Sequence, residues 1–273
     1  MKRTILVVVD TMRADEVPVM GRLLERDPHV CDGCWAVAPY TLPAMTSLVT
    51  GKLPTDHGVW ERGSGRRQTD TIAMDWPSAA AVSGRGYADG NAMGYATGFR
   101  AWRTQHGDAR VPQPHAVPRG DLALIHTFTV HNYIFDRWAE SDIHAALMAK
   151  QWPPMERLRA ARAERIRRVE SAVLDILDAS PDARLVLTAD HGEALEPPLV
   201  GHGLTHPPSA GLLRLPFLVL NGEAPPPFLP QHQIRSWLRG EPVQQEPVTV
   251  HWPKSEQGDA HHFRVGPAGL EVL

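Results

Sequence analysis

The stretch TILVVVD, residues 4–10, places five consecutive aliphatic side chains directly before a carboxylate. A short apolar run of this kind predicts a buried strand of a parallel sheet, because such strands are covered on both faces. Similar runs recur at 121–130, 183–189 and 215–220. The sequence therefore predicts an α/β fold, with a mostly parallel central sheet flanked by helices.

One long helix is predicted between the runs at 121–130 and 183–189. In residues 162–180 the apolar side chains form one stripe at helical spacing: Ile166, Val169, Val173, Ile176 and Leu177. The arginine-rich opposite side is interpreted as a solvent-exposed face. A helix followed by a strand is a repeating unit of a layered α/β sheet, which agrees with the fold class.

The pattern changes after Asn221. A proline-rich loop, a short helix around residues 233–238 and brief alternating runs predict a small antiparallel segment at the C-terminus. We therefore predict a main domain over residues 1–222, and a short C-terminal subdomain over residues 223–273 that packs on it.

Composition excludes several function classes. The net charge is −3, so a broad basic surface for nucleic acid is not expected. Lys2 and Arg3 precede an apolar run shorter than the roughly 7–15 residues of a signal peptide, and no stretch approaches the roughly 20 apolar residues of a membrane span. We expect a cytoplasmic protein without a membrane segment, and no pattern specifies an oligomeric state. Cys31 and Cys34 are interpreted as ordinary thiols rather than a redox pair or half of a metal site.

Polar side chains follow three of the predicted strands where each strand ends. Asp10 follows the first, His131 the second, and the pair Asp190–His191 the third. In open α/β sheets, ligands bind outside the carboxyl ends of the strands. We therefore expect these side chains to meet at one edge of the sheet and to form a site.

Thr41 lies at the start of a predicted short helix in TLPAMTSLVTG. Pro43 suits the first helical turn and Gly51 suits the position after the last. Free N–H groups at a helix N-terminus favour an anion. Taken alone, the Thr41 hydroxyl is better explained as a helix cap than as part of a site.

The stretch TADHGEA adds a carboxylate and an imidazole at a strand end. Asp190 beside His191 suits a divalent cation of the zinc or manganese type. Glu193 can orient a metal-binding side chain without binding the metal itself. Downstream, GHGLTH supplies His202 and His206 in a loop that contains two glycines.

Together these motifs resemble the alkaline phosphatase/sulfatase superfamily. DTMRAD, YTLPAMTSLVTGKLPTDHGV, a histidine-bearing strand, LTADHGE and GHG followed by LRLPFLVL occur in the order and spacing of that family over residues 4–222. The sulfatase-like branch matches best. GYADGNAMGYATGFRAW resembles a degenerate form of the family's GY…GF segment.

The resemblance implies roles for individual residues. Asp10 would be the first metal ligand, Thr41 the nucleophile and a further ligand, and Asp190 with His191 would complete the metal site. His57 is interpreted as structural. Substrate binding is assigned to four residues: His131, His202, Asn91 and His206. The histidines His131 and His202 are alternatively ligands of a second metal.

Departures from the sulfatase pattern decide the expected substrate. Sulfatases need Cys or Ser as nucleophile, with Arg four residues on, for conversion to formylglycine; this chain has Thr41 and Met45. Thr11 replaces the second acidic residue usual for calcium, which favours Zn²⁺ or Mn²⁺ over Ca²⁺. The resemblance thus implies a metal-dependent hydrolase or transferase of phosphate esters that passes through a phospho-threonine at Thr41, with His131 or His202 protonating the leaving oxygen.

Three alternatives stay open. Two-metal relatives carry an Asp-x-x-x-His pair without a clean counterpart here, so one tight metal site is expected, with a second as the alternative. His126 and His131 do not supply such a pair, because they are five residues apart and this spacing does not place both on one face of a strand. The competing functions are a sulfatase, and a catalytically silent relative that uses the cleft for binding.

Overall fold

The computed structural model describes residues 2–60, 68–84, 96–104, 111–134, 155–196, 199–253 and 260–273. Within these ranges it contains fourteen strands: β1 (Thr4–Val9), β2 (His29–Val30), β3 (Cys34–Trp35), β4 (Ala79–Ser83), β5 (Ala101–Thr104), β6 (Leu122–Thr127), β7 (Arg184–Thr188), β8 (Ala194–Glu196), β9 (Leu199–Gly201), β10 (Phe217–Leu220), β11 (Leu229–Pro230), β12 (Val248–Pro253), β13 (Ala260–Gly266) and β14 (Gly269–Val272). The α-helices in the same ranges are α1 (Gly21–Leu24), α2 (Thr41–Thr50), α3 (Pro54–His57), α4 (Met155–Asp178), α5 (Ala210–Leu213) and α6 (Ile234–Leu238).

The central sheet has seven strands in the order β2-β10-β7-β1-β6-β4-β5. β7, β1, β6, β4 and β5 are parallel to one another. All six residues of β1 are buried, as expected for a strand that lies between β6 and β7 and is covered on both faces. The predicted α/β fold with a mostly parallel sheet is confirmed.

The predicted direction of one strand was wrong. The run at 215–220 forms β10, which pairs antiparallel with β7. The chain between these strands stays at the carboxyl edge of the sheet, where Gly192 and Glu193 donate backbone hydrogen bonds to Leu212 and Gly211. Because no helix carries it back across the sheet, β10 starts at the edge where β7 ended, and it runs in the opposite direction.

The long helix α4 confirms the predicted apolar stripe, since Ile166, Val169 and Val173 are fully buried. The helix runs over Met155–Asp178, between the prolines at 153–154 and Pro181 in the sequence. The prediction for its arginine-rich side was partly wrong, because Arg162 and Arg165 are buried. Arg162 faces the loop after β1 instead of solvent, as described below.

The C-terminal residues form the predicted antiparallel sheet, β12-β13-β14. Trp252 and Phe263 of this sheet belong to the same buried core as β1. The boundary at residue 222 stays a prediction. Cys31 and Cys34 are free and buried. No helix in the described ranges is both long and apolar enough to cross a membrane.

Candidate active site

Asp10 and Asp190 stand at the carboxyl ends of the adjacent strands β1 and β7, and both are fully buried. The Asp10 N–H donates to Thr127 O at 2.9 Å, which fixes the end of β1 against β6. Thr11 then adopts a left-handed backbone conformation, φ 63°, that is uncommon for a β-branched residue. In this conformation its N–H donates to Asp190 Oδ1 at 3.3 Å, so the strained turn ties the two strand ends together.

Thr41 is the first residue of α2, and its hydroxyl is directed at the two strand ends. Oγ1 donates to Asp10 Oδ2 at 3.0 Å and lies 3.4 Å from His191 Nε2. The N-cap position belongs to Tyr40, whose side chain makes no capping bond. The helix-cap explanation of the Thr41 hydroxyl is therefore wrong. Gly51, with φ 75°, ends the helix as predicted.

Asp10, Asp190 and His191 form a group that can hold a metal ion. Each offers one ligand atom, and these atoms lie within 4.8 Å of one another. The separation is 3.5 Å between His191 Nε2 and Asp190 Oδ2 and 3.9 Å between His191 Nε2 and Asp10 Oδ1. Asp190 Oδ2 has no hydrogen-bond partner among the described residues. A buried carboxylate oxygen without a partner fits a site that a cation completes.

The His191 ring is oriented for coordination. Nδ1 lies 2.8 Å from Gly192 O, and because a carbonyl can only accept, Nδ1 carries the proton. Nε2 therefore presents its lone pair to the carboxylates, which is the arrangement typical of a metal-binding histidine.

The pKa values make this group anionic at neutral pH. Burial lowers the pKa of His191 to about 4, so the imidazole is neutral. Burial alone would raise the pKa of Asp190, but His191, His126 and the His191 N–H together lower it below the usual range. A buried, anionic pocket of this kind attracts a cation.

His126 is a member of the site that the sequence argument left out. It lies on β6, is 1% exposed, and its Nε2 is 3.7 Å from Asp10 Oδ2 and 3.6 Å from Asp190 Oδ2. The comparison of strand faces with His131 did not apply, because β6 ends at Thr127 and His131 begins a 3-10 helix. No local sequence signal marks His126, because only the register of β6 beside β1, with His126 opposite Val8, brings it to the site.

His131 and His202 lie beside the metal-ligating group. The His202 ring is 4.6 Å from the ring of His191 and 5.3 Å from the ring of His131, centroid to centroid. His202 Nδ1 is 3.1 Å from Glu193 Oε2. Burial opposes protonation, but the carboxylate raises the pKa of His202. The His202 side chain is 23% exposed, so it lies at the mouth of the site.

The remaining predicted residues have different environments. Burial lowers the pKa of His206, which lies in the same loop as His202 and whose backbone N–H donates to Gly203 O. Asn91 lies outside the described residues. His57 Nε2 is 3.0 Å from Ser47 Oγ, and its Nδ1 accepts from the Val59 N–H, in agreement with a structural role.

No protein-family model and no curated protein sequence matches the chain. Solved structures do match. BT1596, a 2-O GAG sulfatase, has TM-score 0.70 and 13% identity, covering 100% of this chain and 84% of its own. The phosphonate monoester hydrolase of Agrobacterium radiobacter has TM-score 0.67 and 14% identity, covering 100% and 88%. The C-terminal periplasmic domain of the phosphoethanolamine transferase EptC from Campylobacter jejuni has TM-score 0.64 and 14% identity, covering 88% of each chain. The chain has the alkaline phosphatase/sulfatase fold.

Within this alkaline phosphatase/sulfatase fold, a fully buried arginine contacts residues that adjoin the metal-ligating group. Arg162 of α4 donates to Thr11 O at 2.6 Å and to both carboxylate oxygens of Glu16, at 2.6 and 2.9 Å. It also lies 3.9 Å from Glu193 Oε2, and its guanidinium carbon lies 4.9 Å from the centre of the Tyr133 ring. Arg162 thus connects the loop after β1 with the carboxylate that contacts His202.

Proposed function

We propose that the protein is a metal-dependent hydrolase or transferase of phosphate esters that works through a covalent phospho-threonine at Thr41. The observation that carries the proposal is the hydrogen bond from Thr41 Oγ1 to Asp10, inside a buried group of metal-ligating side chains. The alkaline phosphatase/sulfatase fold supports ester hydrolysis or transfer as the general reaction class.

Asp10, Asp190 and His191 would hold the divalent cation, with Thr41 as a further ligand. The nitrogen donor and the neutral Thr11 favour Zn²⁺ or Mn²⁺ over Ca²⁺, because calcium prefers sites built entirely of oxygen. When bound, the cation lowers the cost of ionising the hydroxyl and stabilises charge on the phosphoryl oxygens.

The chain's own residues would perform the transfer as follows. Thr41 Oγ1 forms the bond to phosphorus as the bond from phosphorus to the leaving oxygen breaks. Its proton would pass to Asp10 Oδ2, 3.0 Å away, because His191 Nε2, 3.4 Å away, would bind the cation. The N-terminus of α2 would stabilise the phosphoryl oxygens. His202, whose pKa Glu193 raises against the effect of burial, would donate a proton to the leaving oxygen. Water or an acceptor alcohol would then release the phosphoryl group.

The nucleophile supports phosphate esters as substrates. Threonine cannot be converted to formylglycine, and a plain hydroxyl suits attack on phosphorus. A sulfatase remains the competing function, since BT1596 shares the fold. The decisive difference is therefore chemical and lies at Thr41, since the overall likeness fits both functions.

The test combines substrate comparison with capture of the intermediate. Purified protein loaded with Zn²⁺ or Mn²⁺ is assayed on aryl phosphate monoesters and diesters and on aryl sulfates, and acid-quenched samples are mapped by mass spectrometry. We expect phosphate ester turnover and a phosphoryl group on the peptide that contains Thr41, with no adduct in Thr41→Ala. Sulfate turnover equal to or above phosphate turnover would favour a sulfatase, and a metal-loaded protein inert on every ester would favour a binding relative.

A further inference from the structure

His126 is a buried histidine that lies between two carboxylates without bonding to either. Its Nε2 is 3.7 Å from Asp10 Oδ2 and 3.6 Å from Asp190 Oδ2. Among the residues that the structure describes, neither ring nitrogen of His126 has a hydrogen-bond partner. Leaving a buried polar group unsatisfied costs about 1–3 kcal/mol, so its presence here calls for a physical reason.

The two distances are longer than those of ordinary hydrogen bonds and fit ligands of a shared ion. N–H···O bonds in proteins span about 2.7–3.2 Å between heavy atoms. Two nitrogen or oxygen ligands at about 2.0–2.2 Å from a tetrahedral Zn²⁺ lie roughly 3.3–3.6 Å from each other. The separations of His126 from both carboxylates are close to that range, as is the 3.5 Å between His191 Nε2 and Asp190 Oδ2.

The sheet holds His126 in this place. β6 lies between β1 and β4, so the backbone of His126 is paired with Val8 on one side and Ser83 on the other. Its ring packs against Phe128 with a centroid distance of 4.6 Å. An imidazole on a central strand is a more rigid ligand than one on a loop.

We infer that His126 is an additional protein ligand of the cation held by Asp10, Asp190 and His191, and that the resulting pair of imidazoles selects Zn²⁺ over Mn²⁺ and Ca²⁺. This inference rests on the proposed function, because it concerns the same metal. Together with the Thr41 hydroxyl, the donor set becomes two carboxylates and two imidazoles, which lie on β6 and just after the ends of β1 and β7. Imidazole suits zinc, whereas manganese and calcium prefer oxygen ligands.

The experiment compares the wild type with His126→Leu, a substitution that keeps an apolar side chain in the core and removes both nitrogens. His191→Leu serves as the reference for a lost ligand. His57→Leu is the control, because it removes another buried imidazole that contacts Ser47 and Val59. For each protein, dissociation constants for Zn²⁺, Mn²⁺ and Ca²⁺ are measured by chelator competition, and the visible spectrum of the Co²⁺ form is recorded.

We expect His126→Leu to unfold, as apoprotein, at or above the wild-type temperature, because it loses an unsatisfied buried group. Its Zn²⁺ affinity falls at least about 100-fold, the upper end of what removal of a group behind a ligand costs. Its Ca²⁺ affinity changes much less, and the Co²⁺ spectrum shifts. His57→Leu keeps the wild-type Zn²⁺ affinity. If His126→Leu does not fold, His126→Gln replaces it, with the same expected direction.

Wild-type Zn²⁺ affinity together with an unchanged Co²⁺ spectrum in His126→Leu would make His126 a core residue and would overturn the inference. That result leaves the proposed function intact, provided that the wild type binds metal and turns over phosphate esters. A wild-type protein that binds none of the three metals would overturn both together.

Discussion

Two groups of buried carboxylates lie side by side at the carboxyl edge of the sheet, and they are compensated in different ways. Glu16 and Glu193 face the guanidinium of Arg162. Despite burial, these carboxylates raise the pKa of Arg162, and His202 with Arg162 lowers the pKa of Glu193 to about 2 against the effect of its own burial. Asp10 and Asp190, in contrast, contact imidazoles, a hydroxyl and backbone N–H groups.

The difference separates a structural group of charges from a functional one. Removing carboxylates from water costs several kcal/mol per ion unless an opposite charge is held in good geometry. The Arg162 group contains that opposite charge within the chain. At the strand ends, His191 is neutral at pH 7 and the pKa of Asp190 lies below its usual range, so Asp190 carries a negative charge beside a neutral imidazole, which suits a bound cation.

The largest expected effect is on catalysis and comes from Thr41→Ala. Removal of the nucleophile is expected to lower kcat by roughly 10⁴-fold or more, as for other covalent catalysts, because the oxygen that bonds phosphorus is lost. Initial rates on an aryl phosphate ester measure this. Thr46→Ala is the matched control, since Thr46 is buried on the same helix and its hydroxyl donates to Leu42 O, one turn away on that helix. Rates within tenfold of each other for the two variants would contradict the role of Thr41.

The second effect is on stability and comes from Arg162→Met. The substitution leaves the buried Glu193 and the partly buried Glu16 beside an apolar side chain, which is expected to lower the free energy of unfolding by about 3–5 kcal/mol. Urea denaturation measures the change. Arg157 lies on the exposed side of the same helix, so the free energy of unfolding of Arg157→Met should stay close to that of the wild type. Equal small losses in both variants would remove the distinction between the two groups of charges.

The third effect is on stabilisation by metal. Asp190→Asn replaces one carboxylate of the metal-ligating group with an amide, so bound metal is expected to stabilise the variant less than the wild type. Zn²⁺ at about 100 times its dissociation constant should stabilise the wild type by about 2.7 kcal/mol. This stabilisation corresponds to a rise of roughly 5–10 °C in the unfolding temperature of a domain of this size. Thermal unfolding with metal and with chelator measures this rise in both proteins. A full metal-induced shift in Asp190→Asn would show that the metal binds elsewhere.

The parts of the site that sequence could predict are those set by local pattern. An apolar run ending in Asp10 and another ending in Asp190 each mark a buried strand, and parallel pairing brings their ends together. Thr41 was identifiable because a proline, a helix pattern and a glycine follow it. Each of these signals lies within about ten residues of chain.

The parts that could not be predicted depend on partners far away in the chain. His126 looks like an interior strand residue until β6 is placed in register beside β1. Arg162 falls on the polar side of its helix, and only the packing of that side against the loop at residues 11–16 buries it. The direction of β10 likewise depends on the path of the connection from β7.

The smallest expected effect comes from an ion pair between Arg26 and Asp178, the last residue of the helix that carries Arg162. Arg26 Nη2 lies 3.0 Å from Asp178 Oδ1, but the two side chains are 47% and 59% exposed. Water and salt screen such a pair, so Arg26→Ala should lower the free energy of unfolding by less than about 1 kcal/mol, and by less still at high salt. Urea denaturation at low and high salt measures this. Both this pair and the Arg162 pair join an arginine to a carboxylate at similar distances. A loss in Arg26→Ala as large as that in Arg162→Met would therefore mean that burial does not separate them.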